Sequence, residues 1–532
     1  METIVSTSVK KRSQFKLGLL CCILLAAFLF YVLNATTHGL WYDEAIEYFY
    51  SKHLTGTVPG GLGTTNMLER IRITYQPPLY NILMYVWLSI FDSELSFRLA
   101  GILITIAGSV GVYLAINEVL PDGIWSDLGT LFYLFSYGTV YYALECAEYN
   151  LMMCFTAWSV FFFLRLLMRN DRKSVIGFFA FSCLSVYSQY GATFIVFGMS
   201  LALLIHLITT NNTKQLRLFV LSGIGTAVLA ILPLAVFFLY PQMKHLNSGT
   251  VSHTPFFARG LVVDFFVGGK DTLESMFGQR TVYVIILLLA ISLISLALCF
   301  KRIIYPFLAL FFAWIVYFFA VCCSFYGNKI WDTDSIGSMN LGDRYSFFFI
   351  PATVTMLTIG LWLLWEYMKQ KDITLAKIWV VICSVCIAMI CSYEIYRTAS
   401  QTIHKPDDDV RELVLFWYDH GLYDSKTLLF QWDDALFNYY LIHDDRYQRS
   451  YSLSVESTDV WARTADYDEM YTKLSEMGYL SSDEFYYVTS RTKDNPVFLS
   501  VMKDAEYDVQ VVYSGESILL HLTNMTHFEH TE

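Results

Sequence analysis

Twelve blocks of apolar residues, at about 17–35, 79–92, 98–118, 126–144, 149–168, 174–189, 190–208, 218–240, 281–300, 303–325, 345–367 and 376–395, follow one another through this chain with almost no charge inside them. Most run for roughly 18 to 24 residues, which is the length a helix needs to cross about 30 Å of hydrocarbon. In lipid every backbone polar group has to be satisfied internally, so such blocks can only be helices. With 55% apolar, 17% aromatic and 16% charged residues over 532 positions, a soluble fold of the whole chain is excluded.

The short loops between the blocks fix an orientation. Arg165, Arg169, Arg172 and Lys173, then Lys214 and Arg217, Lys301 and Arg302, and Lys369, Lys371 and Lys377 form basic clusters that belong on the cytoplasmic side. They place everything after about 396 outside. The first block follows Lys10, Lys11 and Arg12, is long for a signal peptide, and leads into a poor cleavage site at 34–38, so it reads as an uncleaved first helix with a cytoplasmic N-terminus. The block at 79–92 starts after Pro77 and Pro78 and is shorter than a full span, so it reads as re-entrant or interfacial, leaving about eleven true spans.

The expected fold class is an α-helical polytopic membrane protein, with about 11–12 transmembrane helices over 1–396 and a small extracytoplasmic α/β domain over 397–532. In that tail, 410–418 is helix-like, while 427–430, 485–488, 509–512 and 517–520 are short strand candidates. The net charge of −11 comes largely from acids crowded into this tail, which argues against nucleic acid as a partner. All eleven cysteines lie in or beside apolar blocks; none is in the tail, and no pair has zinc-site spacing. Segments of about 36–78, 241–280 and 326–344 face outward and are longer than bare turns require.

Chemistry-bearing residues gather in those outer segments. Asp43 and Glu44 follow the exit of the first helix, where carboxylates can deprotonate an acceptor hydroxyl or hold a divalent cation such as Mg or Mn, with Asp43 as the ligand. The alternative reading is a helix N-terminus, with Asp43 as its cap and Glu44 and Glu47 favouring the dipole. Arg70 and Arg72 precede the stiff turn Gln76-Pro77-Pro78-Leu79-Tyr80 at the interface, where a polyprenyl phosphate head group would lie, and snorkelling to lipid phosphate is the plainer alternative. Glu145, Glu148 and Tyr149 sit between two blocks at membrane depth, which is costly unless they line a polar cavity. Gln189 and Tyr190 tip a second hairpin on that face, and Arg344 with Tyr345 opens a late span as a donor-phosphate candidate.

Read in order, these pieces resemble the bacterial members of the dolichyl-phosphate-mannose protein mannosyltransferase family (glycosyltransferase family 39) and the related aminoarabinose transferases, of the GT-C fold. Asp43-Glu44 matches the family's early acidic pair, Gln76 to Tyr80 its His-Pro-Pro-Leu-Tyr, and Glu94 with Arg98-Leu99 the acid and Arg-Leu that follow. Tyr141 to Tyr149 aligns with Tyr-Tyr-Ser-Gln-Glu-Ala-Arg-Met-Tyr, Tyr187 to Tyr190 with Tyr-Thr-His-Tyr, and Arg344-Tyr345 with a late Arg-Tyr. The resemblance implies a polyprenyl-phosphate-linked sugar as donor and a glycan, lipid or protein acceptor outside the membrane, with Asp43 and Glu44 catalytic and Arg70, Arg72 and Arg344 on the phosphate. Gln76, Tyr80, Glu145, Glu148, Tyr149, Gln189, Tyr190 and Tyr345 would line the substrate cavity. The chain departs from the pattern at Gln76 and Gln189, where the family has histidine, and at Ala147, where it has arginine. Glutamine keeps a hydrogen bond but cannot titrate. A lipid or lipid-linked sugar flippase, or a catalytically divergent glycan-binding scaffold, are the competing readings.

Overall fold

A computed structural model describes residues 2–52, 76–120, 123–169, 171–246, 260–299, 304–323, 344–400, 409–429, 434–448, 455–457, 466–490, 496–515 and 517–525. Helices dominate the first 400 residues. In chain order they are α1 (Glu2–Asn34), α2 (Tyr42–Lys52), α3 (Leu79–Leu88), α4 (Glu94–Val119), α5 (Gly123–Leu134), α6 (Tyr137–Ala143), α7 (Tyr149–Arg169), α8 (Arg172–Ser188), α9 (Ala192–Thr209) and α10 (Thr213–Lys244). They continue with α11 (Leu261–Phe277), α12 (Val282–Cys299), α13 (Ile304–Cys322), α14 (Ile350–Lys371) and α15 (Ile373–Ala399), with a 3-10 turn at Arg344–Phe349 leading into α14. The remaining elements are α16 (Val410–Asp419), β1 (Thr427–Leu429), α17 (Asp434–His443), β2 (Val455–Ser457), α18 (Tyr467–Glu476), β3 (Glu484–Ser490), α19 (Pro496–Asp504), β4 (Tyr507–Ser514) and β5 (Ser517–Asn524).

Every apolar block of the sequence falls on one or more of these helices. Among the described residues eight helices are long and apolar enough to cross a membrane, and a ninth span arises if α11 and α12, bent by 114° at their joint, count as one. The chain is a multi-span membrane protein. Helix α3 has 10 residues and rises only about 15 Å, half of a hydrocarbon core. The block at 126–144 is broken at Ser136, whose hydroxyl lies 3.0 Å from the Tyr133 carbonyl and 2.9 Å from the Thr139 hydroxyl. The middle outer segment is not a plain loop, since α11 occupies much of its described part.

The chain divides into two compact units: Met1–Ala35, Ile71–Leu83 and Arg98–Ser400 form the first, and Thr36–Arg70, Met84–Phe97 and Gln401–Glu532 the second. In the first unit, α14 is the buried centre, with 89% of its apolar window covered, whereas α10 has 11% covered and presents its apolar side chains outward, as a lipid-facing helix should. Small residues let helices approach closely where no hydrophobic drive separates protein from lipid. A Cβ on Gly198 of α9 would lie 2.2 Å from the Ala309 carbonyl oxygen on α13, and one on Gly360 of α14 would lie 2.3 Å from Ser292 on α12. Tight joints are capped by short polar side chains: Asp171 accepts from the Ser174 amide at 2.7 Å to start α8, and Asp372 accepts from the Thr374 amide at 2.7 Å to start α15.

The second unit contains a five-stranded sheet in the order β2-β1-β3-β5-β4. Strand β1 runs parallel to β2 and β3, while β5 runs antiparallel to β3 and to β4, with a bulge at Val511/Tyr513. Alternate residues of β3 and β5, among them Phe485, Tyr487, Leu520 and Leu522, bury against Met470 and Leu474 of α18 and Phe498, Val501 and Met502 of α19. The Tyr487 and Phe498 rings stack at 3.8 Å. Helix α2 packs on α17, with Tyr48 meeting Tyr439 edge-on at 4.8 Å. All four strands expected from sequence are present; β2, α17, α18 and α19 had no expectation attached to them.

Candidate active site

In the second unit, α2 carries the acidic pair, and the two acids are placed differently. Glu44, Glu47, Tyr48 and Ser51 recur at helical spacing and are buried, so they form the inward stripe of the helix. The Glu44 carboxylate turns back to accept the Trp41 amide at 3.1 Å, the reciprocal half of a capping box. Asp43 lies off that stripe and is half-buried. Glu44 therefore serves the helix end, while Asp43 stays partly exposed beside it.

The flanks of α2 are held by two polar clusters. Ahead of it, the Arg411 guanidinium donates to the His38 carbonyl at 3.0 Å and pairs with the Glu94 carboxylate at 3.1 Å. The Tyr440 hydroxyl accepts from the Leu40 amide and lies 3.5 Å from Glu94. Behind it, the Tyr48 hydroxyl donates to Asp92 at 2.9 Å, Lys52 pairs with Asp92 at 2.7 Å, and His443 lies 3.2 Å from the Tyr48 hydroxyl. Burial alone would raise the Asp92 carboxyl, but hydrogen bonds from His443, Lys52 and Tyr48 outweigh it and hold that group well below the usual carboxylate range. Burial and the Asp92 charge push the Tyr48 phenol up.

In the first unit, the break between α6 and α7 carries Glu145 and Glu148, both buried, with Tyr149 opening α7. The Arg98 side chain donates to the Leu144 carbonyl, and the Asn150 amide donates to the Tyr142 carbonyl at 3.3 Å, so the broken backbone is satisfied from the side. Tyr142 packs on Tyr149 at 4.7 Å and meets Phe347 edge-on at 5.1 Å. Arg344 opens the 3-10 turn that carries Phe347, and the Tyr142 hydroxyl lies within the electrostatic reach of both Glu145 and Arg344. Its guanidinium is 5.7 Å from the ring of Tyr345.

A second polar set in this unit joins the remaining expected positions. Tyr190 donates to the Gln242 side-chain carbonyl at 2.8 Å, and the Gln242 amide donates to the backbone carbonyl of Gln76 at 2.7 Å. The Gln189 side chain caps its own hairpin by accepting from the Gly191 amide. Tyr80 is buried in α3, four residues beyond Gln76. The structure thus gathers Glu145, Tyr149 and Arg344 in one place and Gln76, Gln189 and Tyr190 in another. Asp43 and Glu44 belong to the second unit, and Arg70 and Arg72 lie outside the described residues.

Gln242, Asp92, Arg411, Tyr440 and His443 were missed by sequence reasoning. Gln242 carries a signal in hindsight, being a polar residue at the end of an apolar block, beside Pro241. The other four are ordinary charged or aromatic residues whose partners lie far off in sequence. Among the described residues no three His, Cys, Asp or Glu side chains converge in a way that could hold a metal ion.

No protein-family model and no curated protein sequence matches the chain. Solved structures do. ArnT from Cupriavidus metallidurans in its apo state matches with a TM-score of 0.58 at 12% identity, over 95% of this chain and 98% of that one. The same protein bound to undecaprenyl phosphate matches with a TM-score of 0.55 at 11% identity, over 95% and 98%. The Archaeoglobus fulgidus oligosaccharyltransferase in complex with Zn and sulfate matches with a TM-score of 0.51 at 13% identity, over 94% of this chain and 73% of that one. Likeness that spans nearly the whole chain at such low identity establishes the architecture, and the chain has the GT-C fold.

Proposed function

We propose that this protein is an inverting membrane glycosyltransferase that takes a sugar from a polyprenyl-phosphate-linked donor and transfers it to a hydroxyl of a glycan, lipid or protein acceptor on the extracytoplasmic face. The observation that carries the reading is the polar group at the α6–α7 break, where Glu145 and Glu148 are buried beside Tyr142 and Tyr149, and Phe347, in the turn that Arg344 opens, packs on Tyr142. Such a charge set at a helix break is expensive in a membrane protein unless it is paired or lines a polar cavity, and in this reading Arg344 is the group that meets an anionic ligand, the donor phosphate, there. The solved ArnT complex with undecaprenyl phosphate, on the same fold, supports a lipid phosphate as that ligand.

In this reading the acceptor oxygen attacks the anomeric carbon as the bond from that carbon to the phosphate oxygen breaks. Asp43 takes the proton of the acceptor hydroxyl, and the phosphate departs with the bonding electrons. Arg344 neutralises the departing charge, as fixed guanidinium groups do in a site screened from water. Attack opposite the leaving group inverts the anomeric carbon. Arg70 and Arg72 are further phosphate ligands in the proposal, and the domain over 397–532 lies outside with the N-terminus in the cytoplasm.

The test is transfer from a panel of radiolabelled polyprenyl-phosphate sugars to a cell-envelope extract by purified protein, with Asp43→Asn beside wild type. Transfer by wild type alone supports the assignment, and equal transfer by both sinks the role of Asp43. The 114° break between α11 and α12 favours a second reading, since broken helices are a mark of transporters. A flippase would move labelled polyprenyl-phosphate sugar across a vesicle bilayer without changing its chemistry.

A further inference from the structure

Two polar clusters grip α2, one at each end. Helix α2 spans 11 residues, and helices that short are marginal in water without tertiary support. Its support comes from residues more than 300 positions away in the same unit. Arg411 of α16 holds the carbonyl two residues before Leu40 and the Glu94 carboxylate together. Tyr440 of α17 takes the Leu40 amide, three residues before Asp43. One turn further on, His443 meets Tyr48, which with Lys52 is tied to Asp92. The ring of Tyr439 stacks on His443 at 4.3 Å and fixes the imidazole from behind.

We infer that Arg411, Tyr440 and His443 are positioning residues: the C-terminal domain sets the orientation of α2 at both ends and thereby aims the Asp43 carboxylate. The inference rests on the proposed role of Asp43. None of the three is required to touch donor or acceptor. Their contacts are to backbone atoms and side chains of the acid-bearing segment and to Glu94. A catalytic carboxylate misplaced by about 1 Å can lose on the order of a hundredfold in rate, so such a grip has a kinetic consequence.

The experiment compares full-length wild type with Tyr440→Phe, Arg411→Gln, Arg411→Lys and His443→Gln in detergent, by hydrogen exchange over 38–52 and by initial rates of sugar transfer. Tyr440→Phe is expected to speed exchange of the Leu40 and neighbouring amides and to lower kcat about tenfold with the donor KM unchanged. Arg411→Gln is expected to do more, and Arg411→Lys to recover part of the loss, because an ammonium reaches one of the two acceptors at a time. Exchange over 38–52 at the wild-type rate in all four variants overturns the inference, whether or not sugar is transferred. So does faster exchange with unchanged kcat, or a rise in KM that matches the fall in rate. The exchange readout needs no transfer, so inactivity of the wild type with every donor counts against the proposed function and leaves exchange to decide whether the grip exists.

Discussion

The proposed separation of roles between Asp43 and Glu44 gives a sharp contrast between two isosteric substitutions. Glu44 is fully buried and accepts the Trp41 amide at 3.1 Å, so Glu44→Gln keeps one acceptor oxygen in place while it removes the charge and turns the second oxygen into a donor. Hydrogen bonds to charged groups contribute about 1.5–3 kcal/mol and neutral ones about 0.5–1.5, so the change weakens the helix end by about 1 kcal/mol. At 1.4 kcal/mol per factor of ten, that corresponds to roughly fivefold if all of it appears in the population of ordered α2. Removing a general base costs about a hundredfold to ten-thousandfold. Initial rates with a saturating labelled donor should therefore fall about fivefold for Glu44→Gln and at least about a hundredfold for Asp43→Asn. Equal losses in the two variants would refute the division of labour, as would Asp43→Asn retaining a third of the wild-type rate.

Other outcomes follow from the same structure. The Asp92 carboxyl is held below its ordinary range, so its contribution to stability is fully present at neutral pH and is lost as pH falls below the usual carboxylate range of about 4 toward its folded value; thermal melts of the whole chain at pH 7, 5 and 3 should show that loss, and Asp92→Asn should flatten it. Gln242→Ala removes the partner of a buried Tyr190 hydroxyl and of the Gln76 carbonyl, at a cost of about 1–3 kcal/mol, read as a lower melting temperature that Gln242→Glu only partly restores. Gly198→Ala places a methyl 2.2 Å from the Ala309 carbonyl oxygen and must part α9 from α13, with a penalty of about 1–3 kcal/mol and a lower melting temperature in detergent; an unchanged melt would mean the two helices yield freely.

The spans were legible because their signal is long and redundant: a block such as 190–208 needs no partner to declare itself a helix in lipid. The hairpin tips at Glu145 and Gln189 were legible for a related reason, since polar residues between apolar blocks have few places to go. The dual meaning of Asp43-Glu44 was open in the sequence; the structure shows Glu44 at the helix end, accepting the Trp41 amide. What stayed hidden depends on pairing across distance. His443, Arg411 and Tyr440 look like ordinary surface residues of an acidic tail, and nothing local ties them to Leu40, Tyr48 or Glu94. Helices α18 and α19 escaped notice because their buried stripes, such as Met470 with Leu474, are only two or three residues deep.

The second unit is assembled from three stretches of chain, and its clasping contacts join positions 373 and 400 residues apart. During synthesis the segment bearing Asp43 emerges early, and at about 5–20 residues per second its partners on α16 and α17 follow roughly 20 to 80 seconds later. Until then α2 is held at its far end, through Tyr48 and Lys52 to Asp92. A unit built this way cannot be completed in a truncated nascent chain: the grip on α2 at His38 and Leu40 forms only after the last membrane helix has been made and the segment carrying α16 and α17 has folded onto it.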